Sequence, residues 1–139
     1  MTSQKDIIGI LGGGQLGKMI AIAANKLGYR TCLYCPKGDN PAEDYVDEYL
    51  HGNWEDVKKL EIFASRVTVI TSEFENVPAT TLNLLSKKAK VHPSSLPFRI
   101  AQKRNKEKEL AYKAGFRVPK WYRIRSFKDL EKYTKLLNY

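Results

Sequence analysis

The apolar positions of this chain change period repeatedly, and each change marks an element. Ile7, Ile8, Ile10 and Leu11 form an apolar run interrupted only by Gly9, which predicts a buried strand over residues 7–11. Glycines follow, and the period then becomes three and four. Leu16, Met19, Ile20, Ala23, Ala24 and Leu27 predict a helix over 15–27, with Gly28 as its stop. Residues 30–34 return to a strand pattern, and 35–41 read as a loop rich in Pro, Gly, Asp and Asn. A short helix is expected over 42–46 and a brief strand over 48–51. Asn53 is placed to cap a helix over 54–65 whose apolar face is Val57, Leu60, Phe63 and Ala64. The β-branched run at 67–71 predicts a buried parallel strand, Pro78 opens a helix over 79–86, and 90–92 is a last short strand. Strands alternating with helices predict an α/β fold, a parallel sheet with helices on both faces.

Beyond residue 93 the texture changes. Residues 95–114 read as one long basic helix ended by Gly115, and 118–124 as extended chain. Ser126 caps a final amphipathic helix carrying Leu130, Tyr133, Leu136 and Leu137. Charge divides the chain at the same place. Residues 1–92 hold 11 basic and 11 acidic side chains, while 93–139 hold 13 and 4, so the whole net charge of +9 lies in the second part. Two parts are therefore expected, 1–92 and 93–139. The chain end carries no glycine stop or polar tail and reads as cut.

A hydrophobic content of 42% suits a packed core, and no window has the apolar length of a membrane helix. The first residues lack an export signal, so a cytoplasmic protein with no membrane partner is expected. The basic tail with Phe98, Tyr112, Trp121 and Tyr122 raises nucleic-acid binding as one alternative. No recognised binding signature accompanies it, and Lys103, Lys106 and Lys113 read as a solvated helix face. Nucleic acid is not expected as a partner. His51 and His92 have no partners nearby in sequence and read as structural. Cys32 and Cys35 are spaced as C-x-x-C but lie on a strand, where residues three apart face opposite sides; free buried thiols are expected rather than a metal or redox pair.

Candidate chemistry concentrates in two clusters. Gly12-x-Gly14-x-x-Gly17 sits between a strand and a helix. There the first glycine permits a tight turn, the second lets a ligand reach the backbone, and the third lets the helix lie close on the strand. Free N–H groups at the helix start favour an anion. An NAD(P) site would add an acid at the end of the second strand, but Leu33-Tyr34-Cys35-Pro36 stands there and the first acid is Asp39. A dinucleotide module is thus the second alternative. The other cluster is Glu73-Phe74-Glu75-Asn76-Val77-Pro78, just past the fourth strand and on the sheet edge that carries the glycine loop. The two carboxylates alternate, so one of them is expected to face a ligand, where it can accept paired hydrogen bonds from a diol or an amine.

Three stretches in register carry a resemblance: Gly-Ile-Leu-Gly-Gly-Gly-Gln-Leu-Gly-Lys-Met from Gly9, Glu-Phe-Glu-Asn-Val-Pro from Glu73, and Ala-Gln-Lys-Arg-Asn-Lys-Glu-Lys from Ala101. The chain resembles the N5-carboxyaminoimidazole ribonucleotide synthetases, ATP-grasp ligases of purine biosynthesis, from about Ile7 to its end. The sibling formate-using transformylases typically carry Glu where Gln15 stands. The resemblance implies a Rossmann-like preATP-grasp domain over 1–92 and the first elements of an ATP-grasp domain over 93–139. It implies carboxylation of 5-aminoimidazole ribonucleotide with bicarbonate, driven by ATP with Mg2+ through carboxyphosphate. It carries Gln15 and Leu16 over as contacts to the ribonucleotide, Glu73 as its polar partner, and Arg104 as a phosphate contact to ATP. Lys103 departs from the family's usual Asp. The family's other ATP contacts, its glycine-rich lid and its magnesium acids match nothing in this chain. No catalytic or metal-binding residue is therefore expected within it, and a missing ATP-grasp portion, in cis or in trans, is expected to complete it. The chain alone is expected to be inactive. Homodimerisation, common in the family, is left open by the sequence.

Overall fold

The computed structural model describes residues 6–137. Five parallel strands make one sheet, β1 (Ile7–Leu11), β2 (Arg30–Cys35), β3 (Glu48–His51), β4 (Val69–Ser72) and β5 (Lys90–Val91), in the order β3-β2-β1-β4-β5. The predicted α/β class with a parallel sheet is what forms. The central strand β1 pairs with β2 from Ile7↔Arg30 to Leu11↔Tyr34 and with β4 from Ile8↔Val69 to Leu11↔Ser72. Helix α1 (Gln15–Lys26) covers one face. Beneath it Ile10, Ala21, Leu33, Cys35 and Ala42 form a small core. Helices α2 (Val57–Arg66) and α3 (Ala79–Leu85) cover the other face, where Leu60, Phe63, Leu82 and Leu85 pack on Leu11, Tyr34 and Ile70. Cys32 belongs to the second core and Cys35 to the first, both as free thiols. Burial pushes their pKa values up to about 11 and about 12, so both thiols stay protonated at neutral pH while no cation lies against them.

Several expected boundaries shift. The helix expected from 54 starts at Val57, because Asp56 rather than Asn53 is the cap: its carboxylate accepts the Lys59 N–H at 3.1 Å. Val57 consequently stands exposed at the first turn, while Leu60, Phe63 and Ala64 are buried as expected. Replacing Asp56 with Ala is expected to cost about 1 kcal/mol in urea denaturation, and Asn53→Ala clearly less. Equal losses would return the cap to Asn53. The strand expected over 67–71 begins at Val69, and the short helix near 42–46 is a 3₁₀ turn, Glu43–Tyr45.

The long helix expected over 95–114 is two helices, α4 (Ser95–Ala101) and α5 (Arg104–Lys113). The cause is a side chain. The Gln102 amide turns back and donates to the carbonyls of Glu75 at 2.7 Å and Val77 at 2.8 Å, and Lys103 leaves helical geometry at φ −124, ψ 92. The chain divides into two compact units here, one ending at Gln102 and one beginning at Lys103. In the first, α4 buries Phe98 in the core shared with α2 and α3. The second consists of α5, stopped by Gly115 at φ +85, an irregular stretch where extended chain was expected, and α6 (Phe127–Leu137). Ser126 caps α6 as expected, accepting the Asp129 N–H at 3.1 Å, and Tyr122 stacks on Tyr133 with centroids 4.3 Å apart. No helix among the described residues is long and apolar enough to cross a membrane.

Candidate functional site

The strand order places a topological switch point between β1 and β4. One connection leaves β1 toward β2, and β4 lies on its other side, so the loops at their carboxyl ends diverge and open a crevice. The glycine loop forms one wall. Gly12 sits at φ +113, a left-handed conformation that its missing Cβ permits, and its N–H donates to the Tyr34 carbonyl at 3.1 Å. A side chain at Gly13 would overlap Asn40, and one at Gly17 would overlap the Gly12 carbonyl oxygen, so the start of α1 lies directly on the loop. Gly14 caps α1 without a side-chain hydrogen bond, and the first turn of that helix holds no acid. The Gly17 amide faces the Glu73 carboxyl, and the remaining N-terminal N–H groups of α1 are left for an external anion.

Glu73 forms the opposite wall. Its Oε1 lies 2.8 Å from where a Cβ on Gly12 would stand and 3.5 Å from the same point on Gly14. The Ser72 hydroxyl lies 3.2 Å from the carbonyls of Leu11 and Phe74, tying the ends of β1 and β4 together beneath it. Further out, Trp54 stacks with Phe74 at 6.3 Å between centroids, and Asn40 is anchored by its amide to the carbonyls of Pro36 at 3.1 Å and Gly38 at 3.2 Å. The glycine loop, Asn40, Trp54, Glu73 and Phe74, with the end of β2 from Cys35 to Lys37, line a cavity of about 360 Å³. That volume suits a small ligand with a polar end.

Burial raises the Glu73 carboxyl above its ordinary 4.5, against the opposing pull of the Gly17 backbone amide. The folded state therefore holds this proton more tightly than the unfolded chain. Its contribution to stability is complete below pH 4.5 and is lost as pH rises through the folded-state value. Glu73→Gln is expected to flatten that part of the stability–pH curve and to leave the protein at least as stable as the parent at pH 7, read by urea midpoints across pH. A parent curve with no such slope would contradict the assignment.

Gly12, Gly14 and Glu73 thus share one crevice, with Gly17 packed beneath it. Gln15 and Leu16 occupy the first turn of α1, both exposed, and are not among the residues lining the enclosed volume. Arg104 opens α5 in the second unit, exposed and paired with Glu107. Of the two alternating acids, Glu73 lines the crevice. Asn40, Trp54 and Phe74 were not anticipated as wall residues. Asn40 precedes a proline in a loop and Phe74 lies between the two acids, but nothing local in the sequence aims either inward.

A doubly wound sheet with a glycine turn at its switch point defines a nucleotide-type α/β domain. The chain belongs to the ribonucleotide synthetase preATP-grasp domain family, whose profile matches residues 5–102. It is similar to N5-carboxyaminoimidazole ribonucleotide synthase of Staphylococcus aureus, with 36% identity over 132 residues. That match covers 95% of this chain but 35% of the relative, so the chain spans about a third of that protein's length. A solved N5-carboxyaminoimidazole ribonucleotide synthetase, described as an ADP complex, superposes with a TM-score of 0.90 at 32% identity over 96% of this chain and 36% of the other. The Aspergillus clavatus enzyme, described in complex with ADP and 5-aminoimidazole ribonucleotide, gives 0.82 at 26% identity over 97% and 37%.

Proposed function

We propose that this chain is the substrate-entry part of an ATP-dependent ligase that carboxylates 5-aminoimidazole ribonucleotide with bicarbonate. The observation that carries the reading is the Glu73 carboxylate facing the glycine turn across the switch point, in a chain whose relatives bear that activity in their names. In this reading each group has a defined task. The N–H groups at the start of α1 other than that of Gly17 receive a phosphate, since the helix dipole and the absence of an acid within the first turn both favour an anion there. Glu73 accepts hydrogen bonds from a ribose diol or the substrate amine. Gln15 and Leu16, the first residues of α1, are read as further contacts to the ribonucleotide, and Arg104 as a phosphate contact to ATP, which its fixed donor fork suits.

ATP with Mg2+ would supply the activated bicarbonate. Phosphoryl transfer needs a metal and several cationic clamps around the moving group. Arg104 would supply one of these clamps, and the others are assigned to an ATP-grasp portion acting in cis or in trans. The dinucleotide alternative is disfavoured by the end of β2, where buried Cys35 and Pro36 occupy the place of the ribose-binding acid.

Titration of the chain with 5-aminoimidazole ribonucleotide tests this, with Trp54 fluorescence read in a Trp121→Phe background. Saturable binding is expected, weakened about tenfold or more by Glu73→Gln, a loss on the scale of one charge-assisted hydrogen bond. Tighter binding of NAD than of the ribonucleotide would overturn the reading. ATP turnover by this chain alone, with bicarbonate and ribonucleotide present, would overturn the assignment of the clamps elsewhere.

A further inference from the structure

One cluster of side chains lies beside that crevice and shares only Cys35 with its lining. Cys35 ends β2, His51 ends β3, and the two are register partners, so their side chains stand on the same face of the sheet. The 3₁₀ turn brings Glu43 onto that face. The His51 Nε2 lies 2.7 Å from the Glu43 Oε1, and one ligand atom from each of the three residues lies within 4.8 Å of the other two.

We propose that Cys35, Glu43 and His51 form a binding site for a zinc-class transition-metal ion. Three physical arguments support it. The donor set of one sulfur, one imidazole nitrogen and one carboxylate oxygen selects zinc, cobalt or copper over magnesium and calcium, which take oxygen ligands. The charges close: a thiolate and a carboxylate balance a divalent ion, so a site with buried Cys35 and half-buried Glu43 and His51 carries no net charge into the protein. The spacing is near what an ion requires. Bonds of about 2.0 to 2.3 Å place tetrahedral donors about 3.3 to 3.8 Å apart, inside the 4.8 Å that bounds the three atoms, and the 2.7 Å Glu43–His51 contact would open by about 1 Å or less to admit the ion.

Without an ion the Glu43–His51 hydrogen bond satisfies two of the three groups and the Cys35 thiol stays protonated. Binding replaces that hydrogen bond with two metal bonds, forms the metal–sulfur bond and releases the thiol proton to solvent. A fourth position remains for water, the arrangement of an open rather than a closed zinc site. The ion would join β2, β3 and the 3₁₀ turn at one point, at the carboxyl ends of these two strands.

Cobalt(II) titration of the reduced full chain tests the site directly. The expected result is one ion per chain at micromolar protein, a thiolate-to-cobalt charge-transfer band in the near ultraviolet, and loss of both on adding one equivalent of zinc. Cys35→Ser removes the charge-transfer band and Cys32→Ser leaves it. His51→Gln and Glu43→Gln, both at half-buried positions, weaken zinc binding at least tenfold and abolish the zinc-induced rise in Tm. No band at stoichiometric cobalt, a band that survives Cys35→Ser, or zinc affinity unchanged in both His51→Gln and Glu43→Gln overturns the proposal. A Cys35→Ser chain that fails to fold leaves the decision to the other two variants. None of these outcomes depends on ribonucleotide binding, so the two readings fail separately.

Discussion

Gly17→Ala is expected to cost about 3 kcal/mol or more, at the upper end of what overpacking does. Two effects compete. Alanine is the better helix former by about 1 kcal/mol, and Gly17 lies within α1, so propensity alone predicts a gain. The added methyl, however, would occupy the position of the Gly12 carbonyl oxygen. That neighbour is backbone, held by the Gly12 N–H bond to Tyr34, and it has no rotamer to yield. Either α1 lifts off the sheet or the glycine turn opens, and both deform the crevice. Urea denaturation should show the loss, and ribonucleotide binding should fall with it. Gly38→Ala is the control: nothing lies within 4 Å of its Cβ position, and its stability should stay within about 0.5 kcal/mol of the parent. A Gly17→Ala chain as stable as the parent would mean that the helix does not rest on the loop.

The second large effect is expected at Phe63. This ring is fully buried and meets Tyr34 at 5.4 Å between centroids, and its Cζ lies 2.8 Å from where a Cβ on Gly9 would stand. Phe63→Ala is expected to cost about 3 to 5 kcal/mol, a large share of the 5 to 15 kcal/mol typical of a domain. The pairing with Gly9 supplies a sharper test. Gly9→Ala alone drives a methyl into the ring and into Val67 and Ile70, costing about 1 to 3 kcal/mol. Combined with Phe63→Leu, which withdraws the ring, the loss should be smaller than the sum of the two single losses. Additive losses would show that the strand and ring do not share that space.

What the sequence disclosed was what a few adjacent residues decide among themselves. The strand–glycine–helix unit was legible at 7–28 because its turn, helix start and stop are each fixed by residues inside the segment. Ser126 and Gly115 were legible for the same reason. The break between α4 and α5 was not, since its cause is Gln102 reaching carbonyls of Glu75 and Val77, remote in sequence. The start of α2 was misread because Asn53 and Asp56 are both competent caps, and tertiary packing of Leu60 and Phe63 sets the register between them. In the crevice, the floor of glycines and an acid on the facing wall followed from motif spacing, which left Glu73 and Glu75 both open; the family resemblance pointed to Glu73. Asn40, Trp54 and Phe74 come from three different loops and meet only once the sheet has formed.

That dependence has a kinetic side. The central strand finds its first neighbour, β2, across 23 positions (Arg30 minus Ile7), and its second, β4, across 61 (Val69 minus Ile8). Closing the longer loop costs about 0.9 kcal/mol more in chain entropy. Pairing of β1 with β2 is therefore expected to precede docking of β4 in the folding transition state. Leu33→Ala should slow folding, while Ile70→Ala should mainly speed unfolding, in stopped-flow chevrons. The reverse pattern would put β4 in the nucleus. On a ribosome the glycine turn would emerge and pair early, yet stand as half a crevice until Glu73 had been synthesised and β4 had docked.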